Sequence, residues 1–147
     1  MSTTLSATDL ADLDRAQERE LLIGNGLGGY TALSPLGAPG RRYHGLLVAA
    51  LQPPVARTVL AGPPMLWVRA DGHWLPLFSF EMEPGRFSPQ LGALLHQVSV
   101  GVGGVTKEWA LPVGQLTERL SAINGANAVL LNLSLDAAAT SGVDLLL

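Results

Sequence analysis

The sequence predicts a mostly β domain, an antiparallel meander or sandwich preceded by one short helix. Three observations carry this prediction. Apolar residues make up 48% of the 147, but they come in short runs such as Leu46 to Leu51 and Ala128 to Leu131. Glycine (17) and proline (10) are above average use and separate those runs. Pairs of apolar runs also flank compact turn signals, the pattern of successive hairpins in a meander or sandwich.

In chain order, residues 1–8 read as a loose tail. Residues 9–20 are the one good helix candidate: Thr8 is placed to cap it, Asp9 and Asp12 suit its first turn, and Leu10, Leu13 and Ala16 share a face. From Glu20 onward the pattern turns to strands. Leu21 to Ile23 is a short apolar run ending at Gly24, Tyr43 to Leu51 is a strand stopped by Pro53-Pro54, and Arg57 to Ala61 is stopped by Gly62-Pro63-Pro64. Met65 to Ala70 and His73 to Phe80 flank Asp71-Gly72, a dipeptide suited to positive φ. Leu94 to Val100 and Val105 to Leu111 flank Gly101 to Gly104, and Gln115 to Ile123 and Ala128 to Leu135 flank Asn124-Gly125. The last run, Val143 to Leu147, is an apolar strand without a polar cap, a liability that predicts an incomplete, truncated sandwich. The expected organisation is a tail and helix over 1–19 and the β-sandwich over 20–147.

Composition excludes several classes. No apolar run approaches the roughly 18 residues of a membrane span. The acidic N-terminus lacks the basic region of a signal peptide. There are no cysteines, which removes disulfides and thiolate metal sites and fits a cytoplasmic location. The net charge is −3 and the basic residues are scattered apart from Arg41-Arg42, so nucleic acid is not an expected partner.

The segment Gly24 to Leu47 holds most of the functional information. Gly24-Asn25-Gly26-Leu27-Gly28-Gly29 satisfies G-x-G-x-x-G after an apolar run. A dinucleotide site also needs a helix directly after the glycines, whose N-terminus holds the pyrophosphate. Pro35, Gly37, Pro39 and Gly40 forbid that helix, and no acidic residue stands about 20 positions on. The glycines instead predict a turn that brings backbones close together.

Arg41-Arg42-Tyr43-His44 then leads into the apolar run starting at Gly45. On an alternating strand Arg42 and His44 would face one side, and Arg41 and Tyr43 the other. Arg and His donors with a stacking Tyr suit a hydroxyl-rich ligand. Ion pairing of the arginines with surface carboxylates, around a half-buried His44, is the plainer alternative. Trp67, Trp74 and Trp109 sit at strand spacing that favours core or interface roles over sugar stacking, and His73 and His96 are isolated.

N-G-L-G-G-Y at 25–30, R-R-Y-H-G-L-L-V-A-A at 41–50, P-P at 53–54 and R-T-V-L at 57–60 resemble the N-terminal domain of bacterial and archaeal glycogen debranching enzymes. K-E-W-A-L-P-V-G-Q at 107–115 resembles it in place and order, whereas 62–104 matches only in general character. The resemblance implies an antiparallel, supersandwich-like β-sandwich that precedes an (α/α)6 barrel. The barrel carries the amylo-α-1,6-glucosidase chemistry of glycogen breakdown. It implies α-glucan (glycogen or maltooligosaccharide) and that barrel, in cis or from an adjacent gene, as partners. No His, Asp or Glu grouping has metal-ligand spacing, so no metal and no cofactor are expected. Asn25, Tyr30, Arg41, Arg42, Tyr43 and His44 become candidates for glucan binding or for docking on the barrel, with Gly26, Gly28, Gly29 and Gly45 structural. Hydrolysis needs two carboxyl groups roughly 5–9.5 Å apart across the scissile bond. Asp9, Asp12, Asp14, Glu18 and Glu20 read as a solvated face. Glu81 and Glu83 are the one pair able to share a strand face, but they adjoin the turn residues Pro84-Gly85. The chain alone is therefore predicted to be inactive. The alternative is a free-standing carbohydrate- or partner-binding sandwich.

Overall fold

The computed structural model describes residues 3–70, 72–89, 91, 94–137 and 144–146. The chain begins with β1 (Thr3–Leu5), α1 (Ala7–Leu10) and α2 (Leu13–Glu18). It continues through β2 (Leu21–Gly24), β3 (Tyr30–Leu33), β4 (Gly45–Gln52) and β5 (Val55–Ala61). Next come β6 (Trp67–Ala70), β7 (His73–Pro76), β8 (Phe80–Glu83) and β9 (Arg86–Ser88). The last strands are β10 (Leu95–Gly101), β11 (Gly104–Leu111), β12 (Gly114–Ala122), β13 (Val129–Ala137) and β14 (Asp144–Leu146).

The architecture is β-sandwich-like and antiparallel throughout. The largest sheet has the order β1-β10-β11-β12-β13, a meander with the N-terminal strand added at one edge. A second sheet has the order β2-β3-β4-β5, and smaller ones are β14-β6-β7 and β8-β9. The hairpins around Gly72, Gly101–Gly104 and Asn124-Gly125 all form, and Gly72 has the positive φ of 79° that its turn favours. Asp71 lies outside the described residues, as do Val143 and Leu147. Between the last two, β14 pairs with β6.

The N-terminus departs from expectation. Residues 3–5 are not a tail but an edge strand registered on β10, with Leu5 buried in the core. The single helix over 9–20 is two short ones. Ser6, not Thr8, caps α1 in a reciprocal capping box with Asp9, and Asp12 leaves helical geometry to cap α2 through the Arg15 amide. Leu10 and Ala16 of these helices still enter the core.

Asp9 Oδ2 accepts from the Ser6 amide at 2.9 Å and from the Ser6 hydroxyl at 2.8 Å. The backbone bond first, then the hydroxyl, holds the Asp9 carboxyl below the usual carboxylate range. A carboxyl lowered in the folded state stabilises above its ordinary pKa, and that stabilisation is lost as pH falls through the lowered value. An NMR titration of Asp9 is expected to give a midpoint below that of a free aspartate, and Ser6→Ala is expected to return it toward the ordinary value.

Alternation builds the centre of the large sheet. On β11, Val105, Lys107, Trp109 and Leu111 point inward, and on β12 Leu116, Glu118 and Leu120 meet them. Lys107 and Glu118 are cross-strand partners and both are buried. Their charged atoms lie 3.9 Å apart, and the Trp109 indole N–H donates to the other Glu118 oxygen at 3.2 Å. An ion pair is thus built into the core with its remaining acceptor used.

Candidate functional site

The segment after Gly29 is strand β3, so the glycine cluster opens no helix. Residues 25–29 instead form a turn wound around one amide. Asn25 is 1% exposed, and its Oδ1 accepts from the amides of Leu27 (2.9 Å) and Gly29 (3.0 Å). Its Nδ2 donates to the Ala126 carbonyl (2.9 Å) and to Asn127 Oδ1 (3.1 Å). Its own carbonyl accepts from the Gly125 amide at 2.7 Å. Asn127 in turn bonds both backbone groups of Ala50 on β4, at 3.3 and 3.1 Å. The Asn124-Gly125 turn, the glycine turn and β4 are thereby stapled together. The Asn25 amide is fully engaged within the chain, so it shapes this region rather than presenting a group to a ligand.

The glycines serve that closeness. A Cβ on Gly29 would lie 2.7 Å from Asn25 Nδ2, 2.9 Å from Asn127 Oδ1 and 2.9 Å from the Val48 carbonyl. On Gly45 it would lie 2.7 Å from the Ala61 carbonyl. Gly26 and Gly28 both adopt positive φ in the same turn.

Arg41 to His44 form a turn ahead of β4, not part of the strand, and the His44 amide donates back to the Arg41 carbonyl at 3.0 Å. The alternation expected across these four residues is therefore replaced by a division into two pairs. His44 is buried at 8% exposure, and its Nδ1 accepts from the Gly40 amide at 2.9 Å. That bond leaves the ring proton on Nε2, facing Glu20 Oε1 at 3.2 Å. The other Glu20 oxygen takes Arg41 at 3.4 Å. Glu20 thus ties down Arg41 and His44, while Arg42 and Tyr43 remain at the surface.

Tyr43, 46% exposed, lines a cleft of about 450 Å³ with Tyr30, Pro54, Val55, Ala56 and Arg57. The Tyr30 hydroxyl donates to the Tyr43 backbone carbonyl at 3.3 Å, which ties Tyr30 to the turn that carries Tyr43. Arg57 donates from Nε to the Gly28 carbonyl at 3.0 Å and stands 5.8 Å from the Tyr30 ring centre. Arg42 stands 5.5 Å from the Tyr43 ring centre. Two tyrosines and two guanidinium groups therefore share one surface, organised by the glycine turn beneath. Chemically it offers stacking faces and planar donor forks.

Three participants in these networks were not singled out by sequence. Arg57 reads as an ordinary strand residue until its register opposite Ala50 places it next to Tyr30. Asn127 reads as a turn residue, because its partners Ala50 and Asn25 lie 77 and 102 positions away. Glu118 was detectable, since it alternates with Leu116 and Leu120. Of the other candidates, Trp109 is core, Trp67 packs edge-on against Phe78 at 5.3 Å, and Trp74 is exposed. Glu81 and Glu83 serve the β8–β9 turn, Glu81 accepting from the Gly85 amide and Glu83 pairing with Arg86. Among the described residues, no three His, Cys, Asp or Glu side chains gather to hold a metal ion, and no helix is long and apolar enough to cross a membrane.

The fold and this surface define an antiparallel β-sandwich-like domain that presents an aromatic, arginine-flanked cleft at one sheet end. Residues 19–147 match the family described as glycogen debranching enzyme N terminal, and the chain belongs to that family. No curated protein and no solved structure matches it.

Proposed function

We propose that the chain acts as the non-catalytic N-terminal domain of a glycogen-debranching-type glucosidase, contributing α-glucan contacts beside an (α/α)6 catalytic domain. The observation that carries this reading is the Tyr30–Tyr43 cleft, built by the segments that carry the family resemblance. Tyrosine faces suit the apolar face of a pyranose, and Arg42 and Arg57 supply donors to its hydroxyls. Glu81 and Glu83, the one carboxylate pair with a shared face in prospect, are used by their own turn, so hydrolysis is assigned to the partner domain. A cytoplasmic setting accords with this role and with the absence of cysteine.

Docking on the catalytic domain is the second reading. It is favoured by the exposed apolar side chains Leu51, Val55 and Leu60 on the β4–β5 hairpin, next to the cleft. A free-standing glucan- or partner-binding module would show the same surface without a catalytic partner encoded downstream.

Titration of the purified chain with maltohexaose separates these readings. Tyr43→Ala is expected to weaken binding roughly threefold to tenfold, the usual worth of one aromatic contact. His44→Ala is expected to act less directly, by freeing one Glu20 oxygen and the Gly40 amide that position the turn. Unchanged binding in Tyr43→Ala would remove the cleft from the glucan site, and no binding by the parent chain would favour docking.

A further inference from the structure

We infer that the Tyr30–Tyr43 cleft is a site for a phosphorylated saccharide, a sugar ring carrying an anionic group, in preference to a neutral one. This goes beyond the α-glucan reading of the same cleft and rests on charge. The chain carries nine basic residues against twelve acidic ones and a net charge of −3, yet Arg42 and Arg57 set two positive groups beside one pair of tyrosines. Arg41 is neutralised by Glu20. Among the described residues, Arg42 and Arg57 have no carboxylate within ion-pair distance, and no Asp or Glu lines the cleft.

Both guanidinium groups stand beside a tyrosine ring, so charge and stacking surface coincide. Arg57 uses Nε on the Gly28 carbonyl, which orients its plane and leaves both terminal nitrogens for a ligand. A planar fork held in this way matches the oxygens of a phosphate in bidentate fashion. The backbone before it is also fixed in an uncommon shape, since Ala56 has a φ of 54° at the cleft wall. A neutral glucan uses the donors but leaves their charge unmatched. A phosphate ester on the same ring uses both.

The test is calorimetric titration of the full chain with glucose 6-phosphate, glucose, inorganic phosphate and maltohexaose at low ionic strength. Glucose 6-phosphate is expected to bind at least about tenfold tighter than either glucose or phosphate, the effect of one charge-assisted hydrogen bond. The preference is expected to shrink with added salt and to vanish in the Arg42→Gln/Arg57→Gln double variant, whose thermal midpoint should stay near that of the parent. Equal affinity for glucose and glucose 6-phosphate overturns the inference, as does phosphate alone binding as tightly as the ester. A preference insensitive to salt overturns it without reference to any variant. Maltohexaose reads the other proposal separately: its binding with no phosphate preference leaves the glucan role standing alone, and the reverse pattern leaves only the phosphosugar site.

Discussion

Glu118→Ala is expected to lower stability by about 3–5 kcal/mol, the cost of leaving one member of a buried ion pair uncompensated. The variant strands the Lys107 ammonium in the core and removes the acceptor of the Trp109 indole N–H. Replacing both charges should behave differently. In Lys107→Met/Glu118→Gln no charge is buried, the new side-chain amide retains an acceptor for Trp109, and the methionine fills the lysine stem's volume. That double variant is expected within about 1–2 kcal/mol of the parent. Urea unfolding of the set measures both, and a double variant as unstable as Glu118→Ala would show that the pair is not acting as one compensated unit.

Asn25→Ala is the second large effect, expected to cost about 2–4 kcal/mol through buried polar groups left without partners. It removes the acceptor of two backbone amides and the donor to Ala126 and Asn127. Asn25→Asp separates the two halves of that role. The carboxylate keeps the acceptor for Leu27 and Gly29, but it sets lone pairs against the Ala126 carbonyl and Asn127 Oδ1, where the parent chain has a donor. Thermal unfolding of both variants reads the result. Parent-like stability in Asn25→Ala would mean that the glycine turn holds its shape without the staple. Because Gly28 carries the carbonyl that orients Arg57, Asn25→Ala is also expected to weaken ligand binding at the cleft without touching ligand.

The fold was legible where local chemistry decides it. Asp71-Gly72, Gly101 to Gly104 and Asn124-Gly125 flanked by apolar runs identified three hairpins, and each formed. Alternation in β11 and β12 contained even the buried Lys107–Glu118 pair, since both fall on the apolar face. Legibility failed where distant partners decide. Thr3 and Thr4 are β-branched, but with Leu5 they make too short a run to announce a strand; β10 makes them one by offering an unpaired edge. Arg41 to His44 read as strand because the apolar run of β4 follows at once. The Gly40 amide and the Glu20 carboxylate draw His44 inward instead and bend the chain before the strand begins. The candidate site was therefore half visible. Tyr30, Arg42 and Tyr43 were named from the sequence, but Arg57 joined them only through strand register.

The staple at Asn25 has a consequence for how the molecule comes apart. Its bonds join segments 101 and 102 positions apart, so they close some of the longest loops in the chain. Loop-closure entropy makes such contacts late to form, after the local hairpins of β10 to β13 have already gained theirs. Interactions absent from the transition state act on the escape rate from the native state rather than on the approach to it. Loss of the staple should accordingly appear as faster unfolding at nearly unchanged refolding speed. The amide that shapes the cleft would then serve as a kinetic latch on the whole domain.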